Sequence, residues 1–160
     1  MRKIIPVILF CLLAMVGCST LDCPLNNTVY TKYKLDGNIK QLTNSYLTIK
    51  TKMKNGEDSI LLNQQENADS FSLPVSYFNP QDTLYFEVLD AQQRTFQDTV
   101  IVSKDNHPHF ESIDCSPSYF HTLTGVSTTH NLIDSIVINH KDVNFDASKA
   151  HFLLYFGARE

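Results

Sequence analysis

Apolar and polar residues alternate with a period of two along most of this chain, and that period predicts strands. In residues 28–35, Val29, Thr31, Tyr33 and Leu35 fall on one face, with Tyr30, Lys32 and Lys34 on the other. Residues 46–54 repeat the arrangement, with Leu47, Ile49, Thr51 and Met53 opposite Thr48, Lys50, Lys52 and Lys54. Asn55-Gly56 then signals a hairpin turn, since both residues tolerate the positive φ such turns need, and residues 59–63 are the predicted return strand. Residues 70–77 read as a strand that Pro74 confines to a sheet edge or a bulge, because proline has no N–H to offer a neighbour. Further strands are predicted at residues 83–89, 98–103, 110–113, 119–126, 132–139 and 151–156. Only residues 66–69 have helical character, over too short a run to matter. Many short strands without crossover helices predict an all-β domain: a single immunoglobulin-like β-sandwich, with a small β-barrel as the alternative.

The N-terminus breaks this pattern. Arg2 and Lys3 precede an apolar run over residues 4–16 and then the small residue Gly17. That is the layout of a secretory signal peptide over residues 1–17, and the run is short for a membrane-spanning helix. Met15-Val16-Gly17-Cys18 resembles the lipobox of bacterial lipoproteins, with Met15 where leucine is usual. The resemblance implies a lipidated Cys18, a tether over residues 18–26, and a lipid-anchored domain over residues 27–160. Several acyl chains hold a protein on a membrane firmly, whereas one does so marginally.

Signal cleavage and lipidation account for two of the four cysteines, Cys11 and Cys18. Cys23 and Cys115 remain, and in an oxidising envelope compartment they are expected to form a disulfide. A catalytic or metal-binding thiol would need a neighbouring base or further sulfur ligands, and the sequence places neither beside them. Hydrophobic residues at 42% with only five glycines exclude a disordered chain. Charge is divided: residues 18–56 carry six lysines against Asp22 and Asp36, while residues 57–160 carry five basic against fifteen acidic side chains. So acidic a body argues against a nucleic-acid partner.

Candidate chemistry is sparse. All six histidines fall in the second half, at positions 107, 109, 121, 130, 140 and 151. His107 and His109 on one extended face, with His121 on a neighbouring strand, are candidates for a zinc or copper site, although Pro108 interrupts the pair and no HExxH spacing accompanies it. Ser112, Asp114 and His109 supply the residue types of a nucleophilic triad without a strained nucleophile turn. No phosphate-cradling glycine loop or dinucleotide fingerprint is present, and no cofactor is implied. Tyr30, Tyr33, Tyr77, Tyr119 and Phe120 offer material for a binding face. The lysine rows at 32–34 and 50–54 read as solvated strand faces before they read as lipid-headgroup contacts.

Four tripeptides share one form: Asp58-Ser59-Ile60, Asp82-Thr83-Leu84, Asp98-Thr99-Val100 and Asp134-Ser135-Ile136. Each is placed where a turn enters a predicted strand, which is ordinary turn chemistry. They also resemble the O-glycosylation acceptor motif of Bacteroidota envelope proteins, making Ser59, Thr83, Thr99 and Ser135 candidate acceptors.

The segments DCPLNNTVY, SFSLPVSY, PHFESIDCSPSYFHTLTGVSTTH and IDSIVINH resemble a family of small Bacteroidota lipoproteins of unknown function. The resemblance implies an envelope compartment, a lipid anchor, a β-rich domain and association with integral outer-membrane β-barrels; it brings no catalytic residue. The expectation is a non-enzymatic outer-membrane lipoprotein, an accessory subunit of a β-barrel complex such as the outer-membrane protein assembly machinery. A glycan- or ligand-binding module is the alternative, and a small metal-dependent enzyme comes third. Ser19 after Cys18 favours the outer membrane over inner-membrane retention; the leaflet is left open.

Overall fold

A computed structural model describes Cys23 and residues 26–157. The signal peptide and the lipidation of Cys18 lie outside the described residues. Among the described residues ten strands form: β1 Tyr30–Asp36, β2 Tyr46–Lys52, β3 Asp58–Glu66, β4 Ser70–Pro74, β5 Gln81–Leu89, β6 Thr95–His109, β7 Ser118–Thr128, β8 Ile133–Ile138, β9 Asp142–Val143 and β10 Phe152–Phe156. They make a four-stranded sheet of order β4-β1-β10-β8 and a six-stranded sheet of order β3-β2-β5-β6-β7-β9. The domain is an all-β two-sheet sandwich with more strands than an immunoglobulin domain. First and last strands pair in parallel, Tyr33 opposite Phe152, and every other pairing is antiparallel.

The period-two pattern explains the core. Val29 just before β1 and Tyr33 and Leu35 within it meet Leu47, Ile49, Leu84, Phe86, Val88, Val100 and Val102 from the large sheet, all buried. Tyr33 stacks between Phe71 and Phe152, with ring centroids 5.1 and 4.8 Å away, so its neighbours in both flanking strands pack against one ring. Pro74 ends β4, an edge strand, where its missing N–H leaves no partner short. Gly56 turns the β2–β3 hairpin with φ +85°. Gly37 has φ +82°, and a Cβ there would sit 2.8 Å from the Tyr155 ring, so both backbone and packing require glycine.

Three local expectations change. Residues 110–113 are not a strand; β6 ends at His109 and a loop follows. β6 runs well beyond the predicted 98–103, because its later inward positions are polar and hide the period. Glu66 ends β3, and residues 67–69 form the turn to β4, with positive φ at Asn67.

A candidate docking face at the disulfide-closed end

β6 pairs with β5 only as far as Ser103, opposite Gln81, where a bulge lets the strand bend. From Lys104 to His109 it keeps β7 as its ladder partner, with β9 paired to β7 at His121 and Thr122, so the two strands run past β5 as a hairpin. The loop closing that hairpin holds Cys115, bonded to Cys23 with Cα atoms 5.5 Å apart. The expected disulfide therefore fixes the chain's entry into the domain to the hairpin tip. Asn27 adds a hydrogen bond from Nδ2 to the Ser116 carbonyl, 3.3 Å.

Beside the hairpin, three aromatic rings gather. Phe78 and Tyr119 lie edge to face at 4.9 Å, and Tyr77 is 6.2 Å from Phe78 and 6.0 Å from Tyr119. Tyr77 is fixed by a 2.7 Å hydrogen bond between its hydroxyl and Thr28 Oγ1. Phe78 remains 71% exposed. Aromatic pairs of this geometry hold one another in place, and an exposed phenylalanine on such a base is preorganised to be covered.

A buried polar network supports the rings from beneath. Lys104 has no exposed side-chain surface; its Nζ donates to Ser76 Oγ at 3.0 Å and to the Asn79 carbonyl, and lies 3.3 Å from Asp82 Oδ2. Ser76 Oγ also donates to Asp82 Oδ1. Asn106 donates to the same Asn79 carbonyl at 3.2 Å and accepts through Oδ1 from His121 Nδ1 at 2.8 Å. The lysine and the asparagine thus hold the short 75–80 segment that carries Tyr77 and Phe78. Burial lowers the Lys104 ammonium's pKa, against the pull of Asp82. Burial, reinforced by the Lys104 charge, lowers His121 to about 4, so its ring is neutral at ordinary pH, with Nδ1 protonated and Nε2 without a hydrogen-bond partner among the described residues.

The three histidines weighed for a metal do not converge. His121 stands opposite Asn106 on the interior face, whereas His107 stands opposite Phe120 on the outer one. His107 Nε2 is 3.3 Å from Thr122 Oγ1, and His109 stacks on Phe120 at 4.2 Å with its Nε2 3.1 Å from Glu111. Among the described residues no three His, Cys, Asp or Glu side chains form a metal-holding group. Nor do the triad types assemble, for His109 pairs with Glu111 while Ser112 Oγ accepts from the Asp114 amide at 3.4 Å.

Of the four acceptor candidates, Ser135 is exposed, and Ser59, Thr83 and Thr99 are half-buried. Three lie near strand starts, but Thr99 is well inside β6. Asp98 before it is a buried connector: it accepts from the Thr99, Thr129, Leu132 and Ile133 amides and the Thr128 and Thr129 hydroxyls. Sequence reasoning took this residue for turn chemistry. A separate polar groove of about 340 Å³ crosses the outer face of the large sheet, lined by Tyr85, Lys50, Glu87, Gln97 and Asn131. Two of its charges are neutralised within it, Lys50 by Glu87 at 3.6 Å.

A family model matches residues 46–156, from the first residue of β2 to the last of β10. The chain belongs to DUF6452, a family of unknown function. The DUF6452 region takes in Tyr77, Phe78, Tyr119 and Cys115 but stops short of β1 and Cys23. No curated protein and no solved structure matches the chain.

Proposed function

We propose that this DUF6452 protein is a non-enzymatic outer-membrane lipoprotein of a Bacteroidota envelope. It acts as an accessory subunit docking on an integral β-barrel complex, for which the outer-membrane protein assembly machinery is the first candidate. The observation that carries the reading is the exposed Phe78 on its Tyr77–Tyr119 base, at the end of the domain where the chain enters. A membrane-embedded partner meets a lipid-anchored domain at its tethered end. Aromatic side chains on rigid supports are the usual anchors of protein interfaces, because they bury much area and have little conformational freedom left to lose.

Extraction of the native protein in mild detergent should recover a β-barrel partner with the wild type. Phe78→Asp should lose that partner while keeping the wild-type unfolding temperature. Recovery of the wild type with no barrel protein would reject the reading. A second reading, a glycan-binding module, draws on the Tyr85 groove, where a ring flanked by polar planar side chains suits a sugar face. Saturable oligosaccharide binding abolished by Tyr85→Ala would favour it.

A further inference from the structure

The loop after β6 carries two apolar side chains that nothing among the described residues covers. Ile113 is 97% exposed, the highest value among the exposed large hydrophobics, and Phe110 is 61% exposed. They are held rigidly, since Cys115 two residues on is bonded to Cys23 and its amide donates to the Ser112 carbonyl at 3.2 Å. They also mark one extreme of the molecule. β6 has fifteen residues, so at about 3.3 Å each its two ends lie at most roughly 45 Å apart, less the bend at the bulge after Ser103. The β5–β6 turn around Ala91 occupies the far end.

Cys23, bonded to Cys115, lies at this tip. Cys18 lies five residues before Cys23, and five extended residues reach at most about 17 Å. Acyl chains on Cys18 would therefore hold the hairpin tip within about 17 Å of the bilayer surface, with the Ala91 end far beyond that reach. Phenylalanine and isoleucine on a short rigid loop suit the boundary between headgroups and acyl chains. Glu111 and Asp114 flank them, both exposed, and two carboxylates fit ammonium-bearing zwitterionic headgroups while opposing an anionic surface.

We propose that Phe110 and Ile113 insert into the phospholipid leaflet that carries the protein's own acyl chains, fixing the long axis of the sandwich steeply to the membrane. This rests on the lipid-anchoring reading. The contact is with lipid, so it requires no partner protein. It also sets the height at which Phe78 is presented.

The chain contains no tryptophan, so single replacements report cleanly. Full-length lipidated Ile113→Trp, Phe110→Trp and Ala91→Trp proteins would be placed in protein-free phosphatidylethanolamine/phosphatidylcholine vesicles, with and without brominated acyl chains. Non-reducing peptide mapping confirms the Cys23–Cys115 bond in each variant. The indole of Ile113→Trp and that of Phe110→Trp should emit at shorter wavelength than that of Ala91→Trp. Both should lose most of their intensity in brominated lipid, and added phosphatidylglycerol should weaken the effect. Emission from Ile113→Trp as unquenched as that from Ala91→Trp, on vesicle-bound protein, overturns the tip insertion and leaves anchoring intact. Protein that fails to float with vesicles and lacks acyl mass at Cys18 overturns anchoring itself, and the insertion with it.

Discussion

At Asp98 a single carboxylate holds the connection from β7 to β8 against β6. Burial alone would raise its pKa, but hydrogen bonds from Thr129, Ile133, Leu132 and Thr128 overcome that and hold it at about 2. Since the folded value lies below the ordinary 3.8, the ionised form contributes stability that is fully present above about pH 4 and is lost as pH falls toward 2. The size of the shift corresponds to about 2 kcal/mol. Urea unfolding between pH 5 and 2 should show this loss in the wild type and not in Asp98→Asn. That variant should already be weaker by about 3 kcal/mol at neutral pH, because its amide N–H₂ would face the Leu132 and Ile133 donors. An unchanged midpoint would contradict the assigned role. Lys104 poses the complementary case of a buried cation. Lys104→Met should cost about 3–5 kcal/mol by leaving Asp82 without its counter-charge, and Asp82→Asn added to it should restore much of the loss. Additive losses in that double-mutant cycle would mean that the two side chains do not act as a pair.

Among the elements, the β6–β7 hairpin depends most on a covalent constraint. The Cys23–Cys115 bond closes a separation of 92 residues, which in the chain-entropy model stabilises the fold by about 4–5 kcal/mol. Replacing both cysteines by serine should lower the urea midpoint accordingly and open the 110–117 loop to protease before the sandwich unfolds. If the loop stays resistant in that variant, the disulfide is not what orders it. The bond was legible in the sequence, because the expected signal cleavage, which removes Cys11, and the expected lipidation at Cys18 left a single pair. Strand alternation was equally legible wherever inward positions are aliphatic or aromatic, as at Val29, Tyr33 and Leu35. It failed along β6, where Lys104 and Asn106 point inward and read as exposed. It misled at residues 110–113, where Phe110 and Ile113 mimic a strand yet sit outside the core. Tyr77 and Tyr119 could be named from the sequence as binding material, but their meeting depends on the pairing of distant strands that no local pattern records. Phe78, the most exposed of the three rings, escaped notice for the same reason.

For the molecule as a whole, a covalently closed hairpin, a buried lysine network and an exposed aromatic face are stacked at one end of a sandwich. The lipid-anchored reading places a membrane protein against that end. Site-specific photo-crosslinking in intact cells tests this most directly, with a photoreactive residue at position 78 and a control at Tyr85 on the outer face of the large sheet. The account predicts a crosslink to one integral β-barrel protein from position 78 and none from position 85. A crosslink from position 85 with none from position 78 would contradict it.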